Sequence, residues 1–224
     1  MSFRSVGSSS RTSWRLRLAF AAIVALGATV GAQNPVAAHS PTMVTPTRAQ
    51  KEFLSKVPES PAVMQQQINL QLSLYPGGKQ ISTNEVSYDG GNFVITFAKP
   101  ASQMSMLSTG GMGYCPSPWF CFWDDEYYGG AMGKLSSYGA QDLGRYGWSD
   151  RIESVWNRTD TTVRFYNHTT DYHPENVISA NDEYLFKAYP GRYDTSVKYL
   201  ADGEDSDRNK ADHVLRCGGS GNVC

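Results

Sequence analysis

The sequence predicts an all-β fold, a sandwich of Greek-key type, preceded by a small N-terminal helix-plus-hairpin extension. Three observations predict it. Short strand-like runs recur at Trp119–Trp123, Gly130–Leu135, Ile152–Trp156, Thr162–Tyr166, Tyr184–Lys187, Val197–Leu200 and His213–Arg216, a spacing that suits a sandwich. The 224 residues include 21 Gly and 13 Tyr, and few long helical patterns accompany them, which points to short strands and tight turns. The four cysteines, Cys115, Cys121, Cys217 and Cys224, all lie in the second half of the chain. An even number in an exported chain implies two disulfides. Three connectivities are open, and the spacing favours the local pairs Cys115–Cys121 and Cys217–Cys224.

Residues 1–38 read as an export signal. Arg4, Arg11, Arg15 and Arg17 form a basic start without an acid, and Leu18–Ala32 is an apolar run too short to span a bilayer comfortably. Val30-Gly31-Ala32 and Val36-Ala37-Ala38 both offer small-residue cleavage sites. Removing these four arginines and no acid takes the formal charge from −1 to −5. A mildly acidic chain without a Lys/Arg run is a poor ligand for nucleic acid or anionic lipid. The expected location is therefore extracellular, with no nucleic-acid partner and no stable membrane insertion once the signal is cut.

The rest is justified in order. Residues 39–59 read as a linker with a short helical piece near Arg48–Lys56. Residues 60–98 read as a helix and a β-hairpin. Ser60-Pro61 is a helix start, and Met64, Ile68 and Leu72 recur every four residues, although Ile68, Leu70, Leu72 and Leu74 also alternate like a strand. The Gln and Met content and the stop at Pro76-Gly77-Gly78 favour the helix. Gln80–Tyr88, Asp89-Gly90-Gly91 and Asn92–Phe97 then read as a hairpin, because Asp-Gly suits a turn needing positive φ. A helix and one hairpin make a small core, which implies that they pack on something else. Residues 99–113 form a Ser/Gly/Met-rich linker, and 114–224 the main β-domain.

One segment of that domain carries a recognisable pattern. Trp123, Tyr128 and Gly130 stand at the spacing of an aromatic, four residues, an aromatic, one residue and a glycine. Two aromatics stacked across a folded hairpin bury a large area, and the glycine takes a conformation that a Cβ disfavours. Some twenty residues on, Tyr146–Val155 supplies Ser154, placed to cap such a hairpin. Together these segments resemble a βγ-crystallin Greek key, which implies a βγ-crystallin-like sandwich. A degenerate second key follows, opened by Val163–Tyr166 and closed by Asn209–Val214, with a possible corner at Tyr189-Pro190-Gly191. Cys115-Pro116-Ser117-Pro118-Trp119-Phe120-Cys121 extends the resemblance to the secreted actinobacterial peptidase inhibitor family of the Streptomyces metalloproteinase inhibitor type. It covers residues 60–160 well and 161–217 loosely. The terminal position of Cys217 and Cys224 departs from that family, whose second pair often braces a loop inside the second key.

The resemblance implies a secreted, non-enzymatic proteinase inhibitor, first of all a metalloproteinase inhibitor, that presents an exposed loop to an extracellular protease. The candidate loops are Asn167–Ala180 and Tyr138–Tyr146. No cofactor is required by that role. Calcium is the one candidate, since βγ-crystallins hold it through paired oxygen-rich segments. Here these correspond to Ser149–Ser154 and Arg208–His213, with Asp150, Glu153, Asn209 and Asp212 as candidate ligands. Glu153 and Asp212 stand where a hydroxyl is usual, and the alternative is that they are solvated or pair with Arg151 and Lys210. The other functional classes considered are a structural or calcium-binding extracellular module and a killer-toxin-like effector. An enzyme built on His168, Asp171, His173 and Glu175 fits no spacing with a known mechanism. Asn157-Arg158-Thr159 and Asn167-His168-Thr169 match the glycosylation pattern.

Overall fold

The structure, a computed structural model, describes residues 45–103, 115–168 and 178–218. The export signal, most of the second linker and the middle of the 168–182 segment lie outside the described residues. So does Cys224.

Two helices come first. Thr47 caps α1 (Arg48–Ser55): its side chain accepts from the Gln50 backbone, and the Gln50 side chain returns a bond to the Thr47 amide. Ser60 caps α2 (Pro61–Leu74), with Pro61 at the first helical position. The helical reading of this segment holds because Met64, Gln67, Ile68, Gln71 and Leu74 fall on one buried face. Two of these are glutamines, and both donate hydrogen bonds through their side-chain amides. Gln67 donates to the carbonyls of Phe53 and Lys56, both at 2.7 Å, which ties the end of α1 to α2. Gln71 donates to Tyr88 Oη at 3.0 Å and to the Tyr146 carbonyl at 2.8 Å. These bonds offset part of the cost of burying the amides, although Gln67 Oε1 is buried without a hydrogen-bond partner.

The strands are β1 (Lys79–Gln80), β2 (Glu85–Tyr88), β3 (Phe93–Thr96), β4 (Phe120–Asp125), β5 (Gly129–Leu135), β6 (Gly139–Asp142), β7 (Ser154–Asn157), β8 (Val163–Asn167), β9 (Glu183–Ala188), β10 (Tyr193–Asp194) and β11 (His213–Arg216). The expected hairpin is β2–β3, and Asp89, Gly90 and Gly91 at its turn all have positive φ. Val197–Leu200 is not a strand. Val197–Tyr199 forms a single 3-10 turn instead. Tyr138–Tyr146 is not an exposed loop either: Gly139–Asp142 is a strand paired with β11, and Asp142, Leu143 and Tyr146 are buried. Its period-two signal was weak because Gly139, Ala140 and Gln141 offer no apolar alternation.

All pairings are antiparallel and make two sheets. One has the order β1-β2-β3-β5-β4-β7-β10, and the other β6-β11-β8-β9. The molecule is thus mostly β, as its sequence predicts. The two sheets exchange strands: β6 leaves its sequence neighbours β5 and β7 to pair with β11, and β10 leaves β9 and β11 to pair with β7. The hairpin joins the first sheet through β3–β5, with Phe93 opposite Leu135 and Ile95 opposite Gly133. The small extension therefore finds its packing partner in the sheet itself.

Between the sheets the core is aromatic. Phe120 and Phe165 meet across it with ring centroids 5.5 Å apart, and Phe186 lies 4.4 Å beyond Phe165. Phe122 meets Trp148 edge to face at 4.9 Å. Gly133 makes room for Phe122, because a Cβ there would stand 2.2 Å from its ring. The other face of β4 is also covered. Cys121 and Trp123 pack with Cys115, Tyr128 and Met132 in a second cluster. Burial on both faces explains why β4 reads as an unbroken apolar run rather than an alternating one.

Candidate functional site

The β4–β5 corner is built from strained residues that the surrounding bonds hold in place. Tyr127 and Tyr128 have φ of 58° and 63°, and Gly130 has φ of 72°. Such values are uncommon for side-chain-bearing residues and persist only where neighbours over-determine them. Ser154, on β7, does this. Its Oγ accepts from the Tyr128 amide at 3.1 Å and donates to the Asp125 carbonyl at 2.7 Å. Trp123 and Tyr128 meet edge to face at 5.1 Å. The four motif residues Trp123, Tyr128, Gly130 and Ser154 are thus brought to one corner. Cys115 and Cys121 form a disulfide beside it. Cys217 is disulfide-bonded too.

A residue the sequence reasoning passed over completes the corner. Asp124 is buried, and Arg151 grips it in two places, with Nε at 2.9 Å and an Nη at 2.7 Å. Burial pushes the Asp124 carboxyl up, and Arg151 opposes that shift. The guanidinium also lies 4.4 Å over the Trp148 ring. Arg151 is therefore not the partner of Glu153.

The candidate cation ligands come together as two pairs. Glu153 and Asn209 form the first: Asn209 Nδ2 donates to Glu153, and Arg208 Nε donates to the same carboxylate at 2.7 Å. Asp150 and Asp212 form the second. The Asp150 amide donates to the Ala211 carbonyl at 3.1 Å, and the Asn209 amide to the Ile152 carbonyl at 3.4 Å, so the two segments cross-bond reciprocally. The Asp150 carboxyl is raised first by loss of water around it and then by the Asp212 charge, with Lys51 opposing. Asp212 also accepts from the His168 amide at 3.0 Å.

The candidate loop Asn167–Ala180 lies partly outside the described residues, as do Asp171, His173 and Glu175. Its ends are anchored. His168 Nδ1 lies 2.9 Å from Asp182, and the Ser179 amide donates to Asp182 at 2.7 Å. Asn157, in the first glycosylation pattern, is buried and donates to the Thr161 and Ala188 carbonyls. A glycan there would require breaking both bonds. Of the large exposed aromatics, Tyr127, Tyr184, Tyr189, Tyr193 and Tyr199 come from the β4–β5 corner or from β9 and the segment after it, and Tyr138 from the β5–β6 connection. No shared sequence period marks them: Tyr184 and Tyr193 lie in β9 and β10, and the others in turns and connections.

Among the described residues, no helix is long and apolar enough to cross a membrane. Comparisons with curated proteins and with solved structures give no match. The disulfide, the β4–β5 corner and Ser154 all lie within residues 108–173, and that segment matches the family model described as Peptidase inhibitor family I36. That family is one of inhibitors rather than enzymes.

Proposed function

We propose that the protein is a secreted inhibitor of extracellular metalloproteinases, and that its β-domain is of βγ-crystallin type. The family match over the disulfide-braced corner carries the reading. The reciprocal exchange of β6 and β10 between the sheets supports the crystallin architecture. The disulfide supports export to an oxidising compartment. The inhibitory element is the 167–180 segment. The bonds at His168, Ser179 and Asp182 hold its base to the second sheet. A rigid base lowers the entropy lost on docking, and inhibitors of this kind reach high affinity with interfaces of about 1,600 Å².

The test is a panel of purified secreted proteases, thermolysin-like metalloenzymes beside subtilisin-like serine enzymes, each titrated with the mature protein. Stoichiometric inhibition of the metalloenzymes alone is expected. Replacing residues 169–177 by a Gly/Ser linker abolishes it without lowering Tm. Inhibition that survives the replacement moves the contact to the exposed tyrosines. Growth inhibition of other bacteria without any protease effect replaces the reading with a toxin-like one.

A second reading, calcium binding, is favoured by the like-charged pair Asp150 and Asp212, since hard oxygen ligands at close quarters suit Ca²⁺. At the other pair a cation has to displace Arg208 from Glu153. A Ca²⁺ titration followed by Tm checks this reading, with Asp212→Asn removing any shift.

A further inference from the structure

Three residues far apart in sequence meet at one end of the four-stranded sheet. His168 follows β8, Asp182 precedes β9, and His213 opens β11, where it pairs with Tyr166 and Asp142. One donor atom from each lies within 4.8 Å of the others. The two imidazoles are perpendicular with centroids 4.0 Å apart. The cluster is sheltered: His213 is fully buried, and the side chains of His168 and Asp182 are 11% and 4% exposed.

We propose that His168, Asp182 and His213 form a binding site for a divalent transition-metal ion of the zinc class. Two imidazoles and a carboxylate are the donor set that such borderline ions prefer, whereas Ca²⁺ and Mg²⁺ call for oxygen alone. Tetrahedral bonds of about 2.0–2.1 Å set donors roughly 3.3 Å apart, so small side-chain rotations close the set. Two of the three donors are already at about that spacing, since His168 Nδ1 lies 2.9 Å from the Asp182 carboxylate. Asp142 and Asp212 stand beside the imidazoles and add negative charge that favours a cation. The bound ion would join both ends of the 168–182 segment to β11. This inference is independent of the inhibitor mechanism.

The experiment uses the mature protein without a polyhistidine tag and Zn²⁺ alone as the probe, followed by calorimetry and thermal unfolding. One Zn²⁺ per chain with a rise in Tm is expected, and Ca²⁺ or Mg²⁺ does not displace it. His168→Gln weakens binding about tenfold or more, since loss of even an outer-shell partner costs that much, while His173→Gln and His39→Gln leave it intact. His213 is buried, so His213→Gln risks misfolding, and the more exposed His168 keeps the test decisive. The visible spectrum of the Co²⁺ form loses its intensity in His168→Gln. No Zn²⁺ uptake by the wild type, or unchanged uptake in His168→Gln, overturns the proposal.

Discussion

Ser154 shows how much a single hydroxyl can hold. Two backbone groups at a positive-φ corner, the Tyr128 amide and the Asp125 carbonyl, have it as a partner. Alanine at this position leaves the Tyr128 amide without that acceptor in a buried corner, and an unmade bond of this kind costs about 1–3 kcal/mol. Ser154→Ala is therefore expected to lower the urea midpoint with an unchanged m-value. A change of less than about 0.5 kcal/mol by this measure, the ordinary surface range, means that the strained tyrosines are held by something else. The same attention to single residues separates the acids of this chain. Asp124, Glu153 and Asp182 look alike in sequence, yet each has its own cation or imidazole beside it.

Between elements, Glu85 is the informative link. It stands on β2 opposite Thr96 of β3 and accepts from Thr96 at 3.0 Å, from Ser82 at 3.3 Å and from Lys134 of β5 at 2.6 Å. Burial alone raises its carboxyl, but the bonds and charge of Lys134, helped by Thr96 and Ser82, take it below the usual carboxylate range. A lowered carboxyl stabilises the fold above the unfolded value of about 4.3, and that contribution is lost as pH falls through the lower folded value. Glu85→Gln is thus expected to cost about 0.5–1 kcal/mol at pH 7, a figure discounted for solvent screening of a partly exposed pair. The gap to wild type closes as the medium is acidified below the unfolded value. Urea melts of both proteins across that range check it, and a gap that widens on acidification refutes it.

Over the whole molecule, the extension and the β-domain share one core. Phe93 of the hairpin stacks on Tyr146 at 4.0 Å and touches Phe122 at 6.0 Å, and Tyr146 in turn reaches Tyr88 at 5.5 Å. Burial first, and then the hydrogen bond and charge of Asp89, raise the Tyr146 hydroxyl, so it stays protonated at any ordinary pH. Phe93→Ala removes the ring that joins the two parts and is expected to cost about 3–5 kcal/mol. Because the core is continuous, the loss appears as one cooperative transition at lower temperature. Two separated calorimetric transitions would show instead that the extension unfolds by itself.

Much of this was legible in one dimension. The helix start at Ser60, the turn at Asp89–Gly91 and the corner from Trp123 to Gly130 depend on neighbours a few residues away, so residue type and spacing were enough to find them. The recurrence of short strands made the all-β class visible for the same reason. The strand exchange, the Arg151 grip on Asp124, the Arg208 hold on Glu153 and the meeting of His168 with Asp182 and His213 have no local signature. The side-chain links among them join residues 14 to 55 positions apart. The strand β6 was missed because its glycine and alanine carry no period, and only its ladder with β11 makes it a strand. Local chemistry is set by the chain's own neighbours. Which distant side chains share a charge, a ring or a cation is decided by the packing of the two sheets, because only packing brings them within bonding distance.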